Sequence, residues 1–379
     1  MLTEIREKID AIDDKIAALY DERMKLVKEV ALEKSKTGVN LVDRGREKAI
    51  VSRVTKAVSP DIKVFTKLVY DTIFETSRGY QSRYLNATSP TAQAIAEAIE
   101  GGALKFPEAA TVACQGVEGA YSNLAAEKLF RLADIMYFKN FEGVFNAVEK
   151  GLCEYGVLPI ENSSVGSVNA VYDLMREHRF YIVRSVKLRV RHSLLAVRQT
   201  TKDAIREVVS HEQALRQCEG FLKTLKNVKI TVVDNTAQAA RIVAESGRKD
   251  LACLSSPECA ALYGLGVVQS DVQDSDTNYT RFICISKKLR IFAPATRISM
   301  MVSLPHEPGS LNRTLNKFAV LGLNLTKLES RPLPNSTFEF MFYFDFEGQL
   351  ENREVQNLIA ELEGDSAMFT FLGSYAEVQ

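Results

Sequence analysis

A set of polar residues near the N-terminus stands where amphipathic helices would ordinarily place apolar ones, and these residues are the first sign of chemistry. At about 100° per residue, Ile5, Ile9, Ile12, Ile16, Leu19, Leu26, Val27 and Val30 share one face of a first helix. Arg23 lies near the centre of that stripe, Lys34 extends it, and Arg6 sits on its flank. A second helix from Asp43 puts Glu47 close to its Ile50, Val51 and Val54 face, with Asp43 one turn earlier and Arg46 at the edge. A third carries Val69, Ile73, Ser77, Tyr80, Gln81 and Tyr84 on a broadly common face. Surface i,i+4 pairs and snorkelling side chains account for any one of these. The set is harder to dismiss, because a cation turned toward a core needs a partner or a bound anion. Inward cations outnumber inward carboxylates, leaving positive charge where a small dianion fits.

Further along, small polar residues collect where apolar runs end. Gln115-Gly116-Val117-Glu118-Gly119-Ala120-Tyr121-Ser122 follows one such run and opens a helix, so its amides and Ser122 can face an anion. It is neither a dinucleotide fingerprint nor a Walker loop, since the required glycine spacing and lysine are missing. Asn162 and Ser163 end the run Gly156 to Glu161, while Ser164 and Ser167 serve equally well as turn formers. Ser210-His211 begins a segment reaching Gln217-Cys218; His211 reads as a helix cap and Cys218 as a small core residue, because no base accompanies it. Asn278-Tyr279-Thr280-Arg281-Phe282 places Thr280 and Arg281 at the start of another apolar strand.

These residues must be held by several domains. The 379 residues with 46% hydrophobic content exceed what one core usually holds. Lys plus Arg balances Asp plus Glu at 48 each, so overall charge offers no case for nucleic acid or an anionic membrane. Six dispersed cysteines without a C-x-x-C suit a reducing compartment and argue against a disulfide scaffold or metal site. No apolar leader and no span-length apolar stretch is visible, and a cytoplasmic protein is expected. Residues 4–87 read as helical, broken at Thr37 to Asn40 and at Ser59-Pro60, and a short linker from Ala87 to Pro90 leads to a helix over 91–99. From about 108 to 285, β-rich runs alternate with Ala-rich helices in an α/β pattern. After Pro294 the order is strand, helix, strand, strand, helix, strand, the arrangement of a ferredoxin-like α+β module. The expected domains are 1–90, a helical linker 91–107, 108–286 and 295–376.

The spacing Arg6, Arg23, Lys34, Asp43, Arg46, Glu47, Ser77 and Gln81 resembles the all-helical chorismate mutase family over residues 4 to about 84. That resemblance implies a dimer sharing the first helix, with Arg6 reaching the partner's pocket and Arg23 and Arg46 on the substrate carboxylates. It places Lys34 and Gln81 at the ether oxygen, Ser77 at a carboxylate, and Asp43 with Glu47 at the ring hydroxyl. The chemistry fits: a pericyclic rearrangement needs a compact substrate and donors at the breaking bond, with no nucleophile.

Residues 108 to 286 resemble prephenate dehydratase on Gly116 to Ser122, Leu158 to Ser163, Ser210-His211 with Gln217-Cys218, and Asn278 to Phe282. The resemblance implies two α/β lobes, like a periplasmic binding protein, joined by crossing strands with prephenate in the cleft. Thr280 would assist departure of the ring hydroxyl; Asn162, Ser210, Gln217 and Arg281 would position or polarise the substrate, with Ser122 and Ser163 in the same pocket. Loss of carbon dioxide and hydroxide aromatises the ring, so neither metal nor organic cofactor is called for.

The last module resembles the ACT amino-acid-binding domain of the same enzymes. The resemblance implies L-phenylalanine as allosteric effector at a dimer interface, near Gly309, Ser310 and Leu311 and near Glu329, Ser330, Arg331 and Pro332. Together the three regions resemble a bifunctional chorismate mutase/prephenate dehydratase, working as a homodimer or homotetramer. Two rivals are a non-catalytic ligand-binding regulator over 108–379 and a helical dimerisation domain fused to a dehydratase. Thr280-Arg281-Phe282 beside Asn162, Ser210 and Gln217 argues against the first, and inward Arg23, Lys34 and Gln81 against the second.

Overall fold

The apolar periodicity of the N-terminal region produces one continuous helix, Leu2–Thr37, about 54 Å long at 1.5 Å per residue. Asp43 ends the next connection by capping the helix Arg44–Lys56, its carboxylate accepting from the Arg46 backbone N–H. Ser59-Pro60 then forces a single 3₁₀ turn, Pro60–Ile62, before the third helix, Lys63–Leu85. The first and second helices both pack on the third. A fourth helix, Pro90–Glu100, follows.

The computed structural model describes residues 1–37, 43–85, 89–100, 102, 104–333 and 340–378. The expected break at 38–40 and most of the linker before Pro90 therefore lie outside the described residues. By internal packing the chain divides into two compact units, one of residues 1–96, 302–344 and 350–369, the other of 97–301, 345–349 and 370–379. The C-terminal residues are thus shared between both units.

The central region has two sheets, each with its own core. The first runs Glu377–Val378, Tyr181–Arg189, Tyr279–Ser286, Tyr155–Asn162, Ala109–Gln115, Leu132–Phe138, and Gly166–Ser167 pairs off Tyr155–Asn162. Val112, Phe130, Tyr155, Val157 and Phe282 fill its core. The second runs Gly266–Gln269, Ser193–Ala196, Leu251–Ser255, Glu207–Ser210, Lys229–Val232, over cores containing Leu195, Val209 and Val243 or Leu194, Val208 and Leu254. The chain crosses between the two sheets twice, at 190–192 and 270–278. These crossings are bonded together: Val272 N–H donates to His192 O at 2.8 Å, and Val190 N–H to Asn278 O at 2.8 Å.

Past Pro294 come Arg297–Leu304, Ser310–Val320, Leu325–Pro332, Phe340–Glu347, Arg353–Asp365 and Phe369–Tyr375, the anticipated β-α-β-β-α-β order. Leu325–Pro332 is an edge strand of this four-stranded sheet. One element was not expected from the sequence: Glu377–Val378 adds a parallel edge to the first central sheet, with Glu377 opposite Ser185.

Candidate active sites

In the helical bundle, Arg23 is half-buried and donates to the Ser77 hydroxyl, its guanidinium lying 6.0 Å from the Phe74 ring centre. The Ser77 hydroxyl in turn donates to the Ile73 carbonyl at 2.5 Å. Gln81, one turn further along the same helix, is buried, and its Oε1 has no hydrogen-bond partner among the described residues. Glu47 is gripped by Arg78 at 2.5 Å, a residue the sequence reading passed over beside Ser77. Asp43 and Arg46 lie exposed at the N-terminus of their helix, Lys34 is half-buried, and Arg6 is exposed on the first turn. The structure thus brings Arg23 and Ser77 into direct contact, while Glu47 is tied to Arg78 rather than to a neighbour in the expected set. The apolar stripe departs from its expected burial: among the described residues of the first helix only Val27 and Ala31 are buried, and Ile5, Ile9, Ile12, Ile16, Leu19, Leu26 and Val30 are exposed.

The dehydratase residues meet through strand register. Tyr155–Asn162 runs antiparallel to Tyr279–Ser286 with Asn162 opposite Thr280, two residues far apart in sequence. Asn162 Oδ1 accepts from the Ser164 and Val165 backbone N–H groups at 3.0 and 3.1 Å, which fixes the amide so that Nδ2 faces the other way. Nδ2 donates to Asn278 Oδ1 at 2.9 Å and to Thr280 Oγ1 at 2.8 Å. Thr280 therefore accepts a hydrogen bond on its oxygen, and its own proton stays available to another acceptor. Asn278 belongs to this network although sequence reasoning singled out only its neighbours; its Nδ2 is buried with no partner among the described residues. Ser163 binds the Thr277 carbonyl and the Tyr279 N–H, at 2.8 and 2.9 Å, and so braces the strand end.

Ser122 is buried at the start of Tyr121–Leu129. The loop before it needs its glycine: Gly119 has φ +84, and a Cβ there would come within 2.8 Å of Leu262 Cδ2. In the second lobe, Ser210 is buried and donates to the Leu254 carbonyl at 2.6 Å, joining two strand ends. Gln217 Oε1 lies 3.0 Å from His192 Nε2, and its Nε2 has no partner among the described residues. Burial pushes the His192 pKa down, outweighing the opposing Gln217 bond, so the ring is held neutral. A neutral Nε2–H tautomer donates to Gln217 Oε1 and leaves the glutamine amide free to donate. His211 caps the helix Glu212–Gln217, accepting from Gln213 N–H at 3.3 Å. Cys218 is buried and its thiol is pushed up to about 12 by desolvation, which suits packing and not nucleophilic attack.

Arg281 corrects an expectation. Successive strand residues point to opposite faces, and the guanidinium is turned away from Thr280. Nη1 lies 2.5 Å from Asp345 Oδ2, Nη2 2.6 Å from the Tyr375 hydroxyl and Nε 3.2 Å from Glu377 Oε2. Nη1 also lies 4.0 Å from Glu161 Oε2 in the neighbouring strand, so the guanidinium sits among carboxylates on the face opposite Thr280 and Asn162.

In the C-terminal module, Gly309 has φ +82 and caps the helix beginning at Ser310, which is buried. Leu311 is half-buried beside it. Along Leu325–Pro332, Glu329 and Arg331 are half-buried, whereas Ser330 and Pro332 are exposed.

A helical bundle carrying the half-buried Arg23 on Ser77 and a two-sheet domain with the buried Asn162–Thr280 pair suit an isomerase fused to a carbon–oxygen lyase. The comparisons agree with that class. Residues 5–82 match the type II chorismate mutase family model and residues 112–290 the prephenate dehydratase model. The chain is 31% identical over 388 residues to the bifunctional chorismate mutase/prephenate dehydratase of Escherichia coli, covering 99% of this chain and 96% of that one. It is 41% identical over 277 residues to arogenate dehydratase/prephenate dehydratase 2 of Arabidopsis thaliana, covering 70% and 72%. The solved prephenate dehydratase of Arthrobacter aurescens in complex with L-Phe matches with TM-score 0.64 and 28% identity over 70% of this chain and 89% of that one. The chain belongs to the bifunctional chorismate mutase/prephenate dehydratase family. It converts chorismate to prephenate and prephenate to phenylpyruvate, in phenylalanine biosynthesis.

Proposed function

We propose that the dehydratase step runs on the Thr280 hydroxyl, and the observation that carries this reading is the 2.8 Å bond from Asn162 Nδ2 to Thr280 Oγ1. That bond stabilises negative charge growing on the threonine oxygen as its proton goes to the leaving ring hydroxyl. The C–O bond breaks with its electron pair on the departing water. The ring–carboxylate C–C bond then supplies the electrons that complete the aromatic ring, and carbon dioxide leaves. Threonine recovers its proton from water on product release. Gln217 presents its unpaired amide to the substrate, with Ser122 and Ser163 beside it, while Ser210 acts through the strand ends it joins. Thr280→Val should lower dehydratase kcat by about a thousandfold, and Thr280→Ser should recover most of it. Equal loss in both variants would refute a role for the hydroxyl.

In the mutase, Arg23 and Arg46 hold the two carboxylates, Ser77 steadies one of them, Lys34 and Gln81 face the ether oxygen, and Asp43 with Glu47 takes the ring hydroxyl. Arg6 acts in a partner's pocket, because the enzyme pairs through its first helix as a homodimer or, by further association, a homotetramer. The outward apolar residues of that helix follow one another by four, three, four and three positions from Ile5 to Leu19, the repeat of a coiled-coil seam. Leu19→Asp should yield monomers in sedimentation and abolish the mutase; a dimer that persists would refute pairing through this face.

L-phenylalanine binds near Gly309, Ser310 and Leu311 and the Glu329 to Pro332 strand, and inhibits by favouring a less active arrangement. The exposed edge of Leu325–Pro332 and the Phe-bound relative support this reading. Six cysteines, all buried and none disulfide-bonded, support a reducing, cytoplasmic setting. Among the described residues, no helix is long and apolar enough to cross a membrane.

A further inference from the structure

Two adjacent cross-strand pairs join Tyr155–Asn162 to Tyr279–Ser286: Asn162 with Thr280, and Glu161 with Arg281. Side chains alternate across a sheet, so the amide–hydroxyl pair occupies one face and the guanidinium the other. On that second face Arg281 is 5% exposed and meets Asp345, which is wholly buried in the strand Phe340–Glu347. The other oxygen of Asp345 is bonded by Ser299, whose hydroxyl also lies 2.7 Å from that of Tyr375. Tyr375 completes the grip on Arg281, and burial pushes its phenol up to about 12, keeping it a neutral donor and acceptor. Glu377, on the added edge strand, binds Arg281 at 3.2 Å and also holds Arg297 at 3.3 Å and Lys187 at 3.0 Å. One arginine, next in the chain to Thr280, is thus held directly by Asp345 and Tyr375 from two strands of the C-terminal sheet, with Ser299 from the strand between them bracing both.

We propose that Asp345 is a positioning residue for the dehydratase: through Arg281 it fixes the strand that presents Thr280 to the substrate, so a residue of the C-terminal module sets turnover in the central domain. The inference rests on the reading of Thr280 as proton donor. A buried arginine that loses its shortest carboxylate contact is drawn toward those that remain, Glu377 at 3.2 Å and Glu161 at 4.0 Å, and that shift moves the backbone that carries it. Thr280 and Asn162 ride on that backbone, where displacement of a reacting group by about 1 Å can cost on the order of a hundredfold in rate. A staple that served stability alone would lower the folded fraction and leave the turnover of folded molecules intact. A direct substrate contact by Arg281 would instead appear in KM.

The test uses the full chain with Asp345→Asn, Asp345→Glu, Arg281→Met and the double variant Asp345→Asn/Arg281→Met. Steady-state rates on prephenate are read beside near-ultraviolet circular dichroism, so that turnover refers to folded protein. Asp345→Asn should lower kcat by about tenfold to a hundredfold with KM within about threefold, and Asp345→Glu should restore part of the loss. The double variant should be no slower than Arg281→Met, because Asp345 acts only through Arg281. Should Asp345→Asn fail to fold, Tyr375→Phe, which removes one hydroxyl from the clamp, carries the test with an expected loss of about threefold in kcat. The proposal is overturned by an unchanged kcat in the folded variant tested, by a raised KM at constant kcat, or by losses that multiply in the double variant. Thr280→Val, run alongside, separates the two ideas: if it stays active, the proton-donor reading fails whatever Asp345 does.

Discussion

In the helical bundle Asp43 and Arg46 stand exposed, Arg23 and Lys34 are half-buried, and Arg23 meets Ser77 while Arg78 meets Glu47. In the dehydratase, Asn162, Asn278 and Thr280 are all buried, and both hydrogens and both lone-pair positions of the Asn162 amide are occupied. The contrast follows the chemistry. A sigmatropic rearrangement needs positive charge and a shape that favours the compact substrate, and side chains carried on helices can supply both. An elimination needs a proton aimed at one oxygen, and strand register aims it more tightly than long flexible side chains can.

Several measurements can break or sharpen this contrast. The largest effect is expected in the bundle: Arg23→Ala should cut the mutase by about a hundredfold to a thousandfold and leave dehydration of supplied prephenate within about twofold. A mutase that tolerates the change would mean that charge at this position is not what organises the pocket. Asn278→Ala comes next, with a loss of about tenfold in dehydratase kcat, because the Asn162 amide loses one of its two acceptors and can turn from Thr280; an unchanged rate would show that the backbone N–H pair alone fixes the amide. Arg78→Met should weaken the mutase by only a few-fold, since a partly exposed ion pair contributes little and its loss is relaxed by water. A loss as large as that of Arg23→Ala would instead make the Glu47–Arg78 pair a central element.

A smaller effect concerns pH. The His192 pKa is lowered in the folded chain, so below about pH 6.5 the unfolded state binds more protons than the native one. Stability from keeping this ring neutral is present above that pH and is lost as pH falls toward the native value. The unfolding temperature should therefore decline through that window, and His192→Gln should flatten the decline; an identical slope in the variant would assign the acid sensitivity elsewhere.

How much of this was legible in the sequence depends on the distance over which a residue exerts its effect. The order of elements after Pro294 was readable, because apolar runs in a short module leave little choice. The cap at Asp43 was placed in the set, but local geometry turns its carboxylate toward the Arg46 amide. Asn162 and Thr280 were readable as separate strand ends; their pairing is a tertiary fact with no local pattern. Arg281 was drawn into the pocket by adjacency to Thr280, although strand alternation already sends neighbours to opposite faces. Its partner left a trace too, since Asp345 is a charge between Phe344 and Phe346 in a strand whose other charged residue, Glu347, stands at its end. Glu377–Val378 is too short for any periodicity to register. The first helix showed its apolar stripe plainly, but a stripe does not say whether its cover comes from the same chain.

The central claim is that two independent sites on one chain perform consecutive reactions, the second through the Thr280 hydroxyl. Mixing the Arg23→Ala and Thr280→Val proteins with chorismate tests it most directly. Each alone should form almost no phenylpyruvate, the second accumulating prephenate, whereas the mixture should form it steadily after a lag. A silent mixture, with either folded variant found to have lost both activities, would contradict the account.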